Sequence, residues 1–209
     1  MTKRVKYDMI HAEKSGRSNR MLNIQRITLG QLETNCYILW QEDPNTVVVI
    51  DPGDDVPTLL HTLGDRQVAG VLITHAHFDH ILGLSALKDK PIYVHALDFD
   101  AMTDDEINCG PRAGASPYVP ATDTVAEGDR ITLAGMTFEV LHTPGHTRGS
   151  VCYRCGDDLF TGDTLFVGGY GRTDLPGGSW PQLHKSLERL LALHGVRVYP
   201  GHGESGYIA

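Results

Sequence analysis

Short, uncharged runs of branched residues recur along this chain, separated by turns rich in Gly, Pro and Asp, the pattern of buried strands joined by tight connections. Leu22–Leu29 and Cys36–Gln41 predict two strands joined by residues 30–35. Thr46–Ile50 predicts a third, running into Asp51-Pro52-Gly53. A helix is expected over Val56–Leu63, stopped by Gly64. Val68–Ile73 reads as a buried strand, followed by a helix reaching about Lys88 and a strand at Pro91–His95. Residues 96–123, rich in Asp, Pro, Gly and Ala, predict a loop with short helices over the strand ends. One hairpin is expected around Ile131–Leu141, turning at Ala134-Gly135, and another over Ser150–Thr161. Trp180–His194 places Leu183, Leu187, Leu190, Leu191 and Leu193 near one face of an amphipathic helix, and an alternating strand starts at Val196. Strands outnumber helices, which suits an α/β chain of two packed sheets with helices outside.

The strand ends carry the candidate chemistry. After Val68–Ile73 comes Thr74-His75-Ala76-His77-Phe78-Asp79-His80. In extended chain, positions i and i+2 share a side, so His75 and His77 leave the strand as a pair. Asp79 and His80 swing to another side once a helix begins. Three imidazoles and a carboxylate within six positions suit one or two borderline cations such as zinc. Further strands end in His142-Thr143-Pro144-Gly145-His146-Thr147, in Thr161-Gly162-Asp163 and in Pro200-Gly201-His202-Gly203. Each repeats one grammar: strand, turn former, metal-competent side chain. Asp51, at the end of its own strand, either fixes a ligand imidazole from behind or merely shapes an Asx turn. His11, His61, His95, His142, His184 and His194 fit no such position.

H-x-H-x-D-H (75–80), T-P-G-H-T (143–147), T-G-D (161–163) and P-G-H-G (200–203) together resemble the metallo-β-lactamase superfamily over roughly residues 22–203. The resemblance implies the αβ/βα four-layer sandwich with two divalent metal ions at one edge of the sheets: zinc first, with iron or manganese as alternatives. It implies His75, His77 and His146 around one metal, Asp79, His80 and His202 around the other, and Asp163 between them. Every one of these seven positions holds the expected residue type.

Composition narrows the picture. At 209 residues, with 41% hydrophobic and 21% charged positions, the chain suits one domain over 22–209. Residues 1–20 carry a net +4 and no periodicity, so residues 1–21 read as a mobile extension, and the body carries −12. A negative body argues against nucleic acid as a partner. No run approaches membrane-spanning length and no charged-then-apolar leader opens the chain, so a cytoplasmic protein acting on a small molecule is expected. Oligomeric state is not readable. Cys152-x-x-Cys155 lacks a second pair and reads as two small buried hydrophobes on a hairpin.

The segment from Gly168 to Gly178 contains Gly171-Arg172-Thr173-Asp174, similar to short glyoxalase II-like thioester hydrolases and to persulfide dioxygenases of the same superfamily. The lysine and tyrosine that typical glyoxalase II uses for glutathione are absent here. Pro-Gly-His-Gly at 200–203 favours the two-metal hydrolases over the one-iron dioxygenases. The expected activity is hydrolysis of a thioester such as S-lactoylglutathione by a metal-bridging hydroxide, with Asp79 as the catalytic carboxylate and Arg172 and Asp174 ordering the adjacent loop. Iron-dependent persulfide oxidation and a non-catalytic metal-binding role are the alternatives.

Overall fold

The structure, a computed structural model, describes residues 8–11, 21–114 and 118–208. Most of the expected 1–21 extension lies outside them. Within it, Asp8–His11 form strand β1, which pairs antiparallel with Asn23–Arg26.

Seven strands make the first sheet, in chain order: β1, β2 (Asn23–Leu29), β3 (Thr34–Trp40), β4 (Thr46–Ile50), β5 (Gln67–Leu72), β6 (Ile92–His95) and β7 (Asp123–Val125). Helix α1 (Val56–Leu63) crosses from β4 to its parallel neighbour β5. The Asp55 side chain accepts from Thr58 N to cap α1, and Gly64 ends it with φ 57°. Beyond β5 the chain does not make the helix expected to reach Lys88. It makes a single turn, α2 (Phe78–Ile81), and then a 3-10 segment, Leu82–Ala86. Gly83 lies against the Pro52 and Gly53 carbonyls with no room for a Cβ, so this stretch is tied down by its neighbours rather than free to extend. Short 3-10 turns and α3 (Asp105–Asn108) fill much of residues 96–114, as expected.

The second sheet contains β8 (Arg130–Leu133), β9 (Met136–His142), β10 (Val151–Cys155), β11 (Asp158–Gly162), β14 (Arg197–Pro200) and β15 (Gly206–Tyr207), ordered β15-β14-β11-β10-β9-β8. A small hairpin, β12 (Leu165–Phe166) with β13 (Gly169–Tyr170), stands outside it. Helix α4 (Trp180–Leu191) ends one turn before the expected His194. The β8–β9 turn falls at Ala134 (φ 48°) and Gly135 (φ 79°), the paired positive angles a two-residue hairpin loop demands.

Strand alternation builds the layers. Ile38, Val49 and Val71 face α1 and the 3-10 segments. Their neighbours Tyr37, Leu39, Val48 and Ile50 face Phe138, Tyr153, Phe160 and Tyr199 across the gap between the sheets. Leu141, Cys152, Leu159 and Val198 point the other way, against Leu183, Leu187 and Leu190 of α4. Three apolar layers between helix, sheet, sheet and helix make the four-layer αβ/βα sandwich. The sheets also touch where β3 begins: Asn35 N donates to Gly201 O (2.7 Å) and the Tyr37 hydroxyl to Pro200 O (2.6 Å). That corner sets the loops after β5, β9, β11 and β14 next to one another.

Candidate metal centre

His75 and His77 follow β5, and Asp79 and His80 sit on the single turn of α2. His146 comes from the loop after β9, Asp163 from the end of β11, and His202 from the end of β14. The fold brings all seven together. Donor atoms of His75, His77 and His146 lie within 4.8 Å of one another, as do those of Asp79, His80 and His202. The Asp163 carboxylate stands between: Oδ1 is 3.4 Å from His80 Nε2, and Oδ2 is 3.5 Å from both His146 Nε2 and His202 Nε2. His75, His80 and Asp163 form a third such cluster, so the seven residues make one continuous set of candidate donors.

Each inward nitrogen is aimed by what its ring does on the other side. His80 Nδ1 is 2.9 Å from Asp51 Oδ2, His146 Nδ1 2.7 Å from Arg172 O, and His202 Nδ1 3.0 Å from Leu32 O. With Nδ1–H donating outward, each Nε2 presents a lone pair inward. His75 Nδ1 meets Thr74 Oγ1 at 3.1 Å. His77 is turned the other way, with Nδ1 only 2.9 Å from His146 Nε2. Asp51, buried and with φ 50°, accepts from Thr74 N (2.8 Å) and Thr74 Oγ1 (2.7 Å) and faces His80, the placement that fixing an imidazole from behind requires.

The donor set fits divalent cations. Burial, reinforced by neighbouring imidazoles, holds His75 well below the ordinary histidine range and brings His77 to about 3, so both are neutral ligand bases. Burial pushes Asp79 and Asp163 up, but His80 and the surrounding hydrogen bonds outweigh it and keep both carboxyls below their usual range. His80 shows the converse: burial disfavours its charged form, yet Asp79, Asp51 and Asp163 raise it well above the ordinary value. Anionic Asp79 and Asp163 thus stand beside the neutral imidazoles of His75 and His77 and favour positive charge at His80, the balance that a cation would satisfy. His80 Nε2 and Asp163 Oδ1 are buried without a hydrogen-bond partner, a costly state that coordination would relieve.

Several supporting residues escaped the sequence reading. Thr34 Oγ1 donates to Asp79 Oδ2 at 2.7 Å. Asp98, 2% exposed, accepts from Ala76 N (3.1 Å), Thr147 Oγ1 (2.7 Å) and Gly149 N (2.7 Å). One carboxylate therefore ties the His75–His77 segment to the His146 loop. Gly201 abuts Asp163 Oδ1 and His80, leaving no room for a side chain. Arg172 and Asp174 pair with each other through two 2.6 Å hydrogen bonds while largely exposed, so the loop reaches the centre through the Arg172 carbonyl rather than these side chains. Cys152 and Cys155 are buried and free, one facing α4 and the other the space between sheets, so they cannot share an ion. His95 and His142 stack on each other at 4.0 Å and join none of the candidate ligand groups among the described residues.

Comparison with known proteins agrees with this geometry. The family model of the metallo-beta-lactamase superfamily matches residues 29–202. An uncharacterized protein of Mycobacterium tuberculosis is 40% identical over 198 residues, 84% of this chain and 88% of that one. The hydroxyacylglutathione hydrolase GloC of Haemophilus influenzae is 31% identical, covering 87% of this chain and 91% of its own. Hydroxyacylglutathione hydrolase of Ectopseudomonas mendocina is 38% identical over 79% of this chain, but only 61% of that longer protein. Among solved structures, BLEG-1 B3 metallo-beta-lactamase superposes with TM-score 0.81 at 36% identity, covering 88% of this chain and 94% of that one. TTHA1623 in a di-iron-bound form matches with TM-score 0.72 at 37% identity over the same shares. ETHE1 from Myxococcus xanthus gives TM-score 0.72 at 31% identity, covering 88% and 79%. By its motifs, its four-layer fold and these relatives, the chain belongs to the metallo-beta-lactamase superfamily.

Proposed function

We propose that this protein is a binuclear metallohydrolase that cleaves a small-molecule acyl-thioester. The observation that carries the reading is the second donor group: Asp79, His80 and His202 stand complete beside His75, His77 and His146, with Asp163 facing both. A one-iron oxygenase would need only His75, His146 and Asp163, which this chain also holds, so the complete second group favours the hydrolase over that alternative. Relatives named hydroxyacylglutathione hydrolase support the choice of thioester. A relative in di-iron form supports two metals and leaves their identity between zinc, iron and manganese.

Two bound divalent cations would supply a hydroxide nucleophile near neutral pH and an electrophile for the acyl carbonyl. The chain's part is placement. Thr34 fixes the Asp79 carboxylate, which stays ionised to orient the attacking oxygen and to offset the charge of the site. Asp51 holds His80 so that Nε2 faces inward. The departing group is a thiolate, stable enough to leave without a dedicated acid.

Metal analysis and substrate panels test the reading. Protein purified without added metal should hold close to two metals per chain and release free thiol from acyl-thioesters, anaerobically as well as in air. Oxygen uptake with glutathione persulfide, a single iron and no thiol release from thioesters would replace it with persulfide oxidation. Turnover of nitrocefin with inert thioesters would redirect it to β-lactams, the activity named for the BLEG-1 structure.

A further inference from the structure

Alongside the metal centre, the β12–β13 hairpin, α4 and the C-terminal strands enclose a groove of about 690 Å³. Its wall is mostly apolar, with Phe166, Tyr170, Trp180, Leu187, Leu191 and Tyr207 prominent in it. Of the twelve exposed large hydrophobic residues among those described, five lie here, Val167, Tyr170, Trp180, Leu191 and Tyr207. Exposed apolar residues scattered singly need no explanation, but such a concentration does. His184 and Glu188 on the wall face each other at 3.7 Å. The pair leaves most of the wall to apolar contact, which suits a hydrocarbon chain better than the polar body of glutathione.

The groove starts where the metal centre opens. His202 is the most exposed of the candidate ligands, its side chain 27% accessible against 12% for Asp163 and 0% for His80. The Phe166 ring stands edge-on to the His202 ring, with centroids 6.2 Å apart, so one side chain borders both the centre and the groove. Tyr170 leads into Gly171, which abuts the Asp163 carbonyl and His146 Nδ1. At its other end, α4 starts with Ser179 N donating to Gly145 O, beside His146. Volume, apolar wall and continuity with the reactive end fit a ligand with one reacting head and one apolar tail.

We infer that this groove binds the acyl chain of the substrate, making medium-chain acyl-thioesters the preferred class. The inference rests on the thioesterase reading and narrows it away from the short, polar lactoyl group. Burying one methylene is worth roughly a two- to four-fold gain, so over the six methylenes added from acetyl to octanoyl on one carrier kcat/KM should climb at least about sixty-fold.

The test uses the metal-loaded protein, acetyl- to octanoyl-N-acetylcysteamine thioesters, and the fluorescent fatty acid cis-parinaric acid as a binding probe. Leu191 is half exposed, so Leu191→Asp changes the groove without opening the core, and circular dichroism verifies its fold. The expected result is a rising octanoyl-to-acetyl ratio that collapses toward one in Leu191→Asp, with probe binding lost in parallel. Saturable probe binding that Leu191→Asp abolishes, in a protein inert to every thioester, would keep the apolar-chain site and remove the thioesterase reading. Thioesters cleaved at a rate independent of chain length, with no probe bound, would overturn the groove assignment and leave the hydrolase standing. Sedimentation as a dimer that Leu191→Asp converts to monomers would also overturn it, making this face a contact between copies.

Discussion

The two oxygens of Asp163 face different imidazoles, Oδ1 toward His80 and Oδ2 toward His146 and His202. If that carboxylate joins two metals, Asp163→Ala should leave fewer than about one metal per chain by elemental analysis, whereas His202→Ala should retain about one, on His75, His77 and His146. Full metal retention in Asp163→Ala would remove its bridging role. Asp98 acts one step further out. An amide in its place cannot accept from Ala76 N, Thr147 Oγ1 and Gly149 N at once, because one of its two heavy atoms is a donor. Asp98→Asn is expected to weaken metal binding at His75, His77 and His146 by about 10- to 100-fold, read by competition with a chromophoric chelator. Equal affinity in wild type and variant would make Asp98 a packing residue only. His75 and His77 were legible in the sequence because their pairing is local, two positions apart on one strand end. Asp98 was not, since its partners lie 22 to 51 positions away and it sits in an irregular segment whose path no periodicity foretells.

Strand β10 shows how an element disposes of reactive side chains. Cys152 faces α4 and Cys155 the intersheet layer, and burial raises their thiols to about 12 and about 11, Asp158 adding to the rise at Cys155. At pH 8 the thiolate fraction of each is then on the order of 0.1% or less, and neither should react with a disulfide reagent until denaturant opens the sheet. Rapid labelling of the native protein at either position would contradict the burial described here. The sign of the linkage follows. The unfolded thiols ionise near 8.5, so both groups favour unfolding as pH rises above that value and contribute nothing to pH dependence below it. Most strands were readable because alternation or branched runs mark them. The helix expected to reach Lys88 was not, because Gly83 is pinned beneath the Pro52 and Gly53 carbonyls, a contact between segments that local propensity does not contain.

At the scale of the molecule, metal and fold should be coupled. The donors come from both sheets, so a cation binding them ties the two halves together and stabilises only the folded chain. A site held at about a thousand times its dissociation constant adds about 4 kcal/mol, which in a chain of this length corresponds to a melting temperature roughly 10 °C higher. Removing metal with a strong chelator should lower the thermal midpoint by that order, and zinc should restore it; an unchanged midpoint would show that the centre is built without its ions. From the sequence alone came the strand-end grammar, the seven metal-competent residues and the layered α/β class, because each depends on period-two alternation and turn chemistry within a few residues. Only the tertiary structure decided that the seven come within reach of one another, which outward partner most of the imidazoles face, and that an apolar groove opens beside His202. Those depend on the packing of two sheets at one corner, where Asn35 meets Gly201 and Thr34 meets Asp79, contacts between residues far apart in the chain that no local pattern encodes.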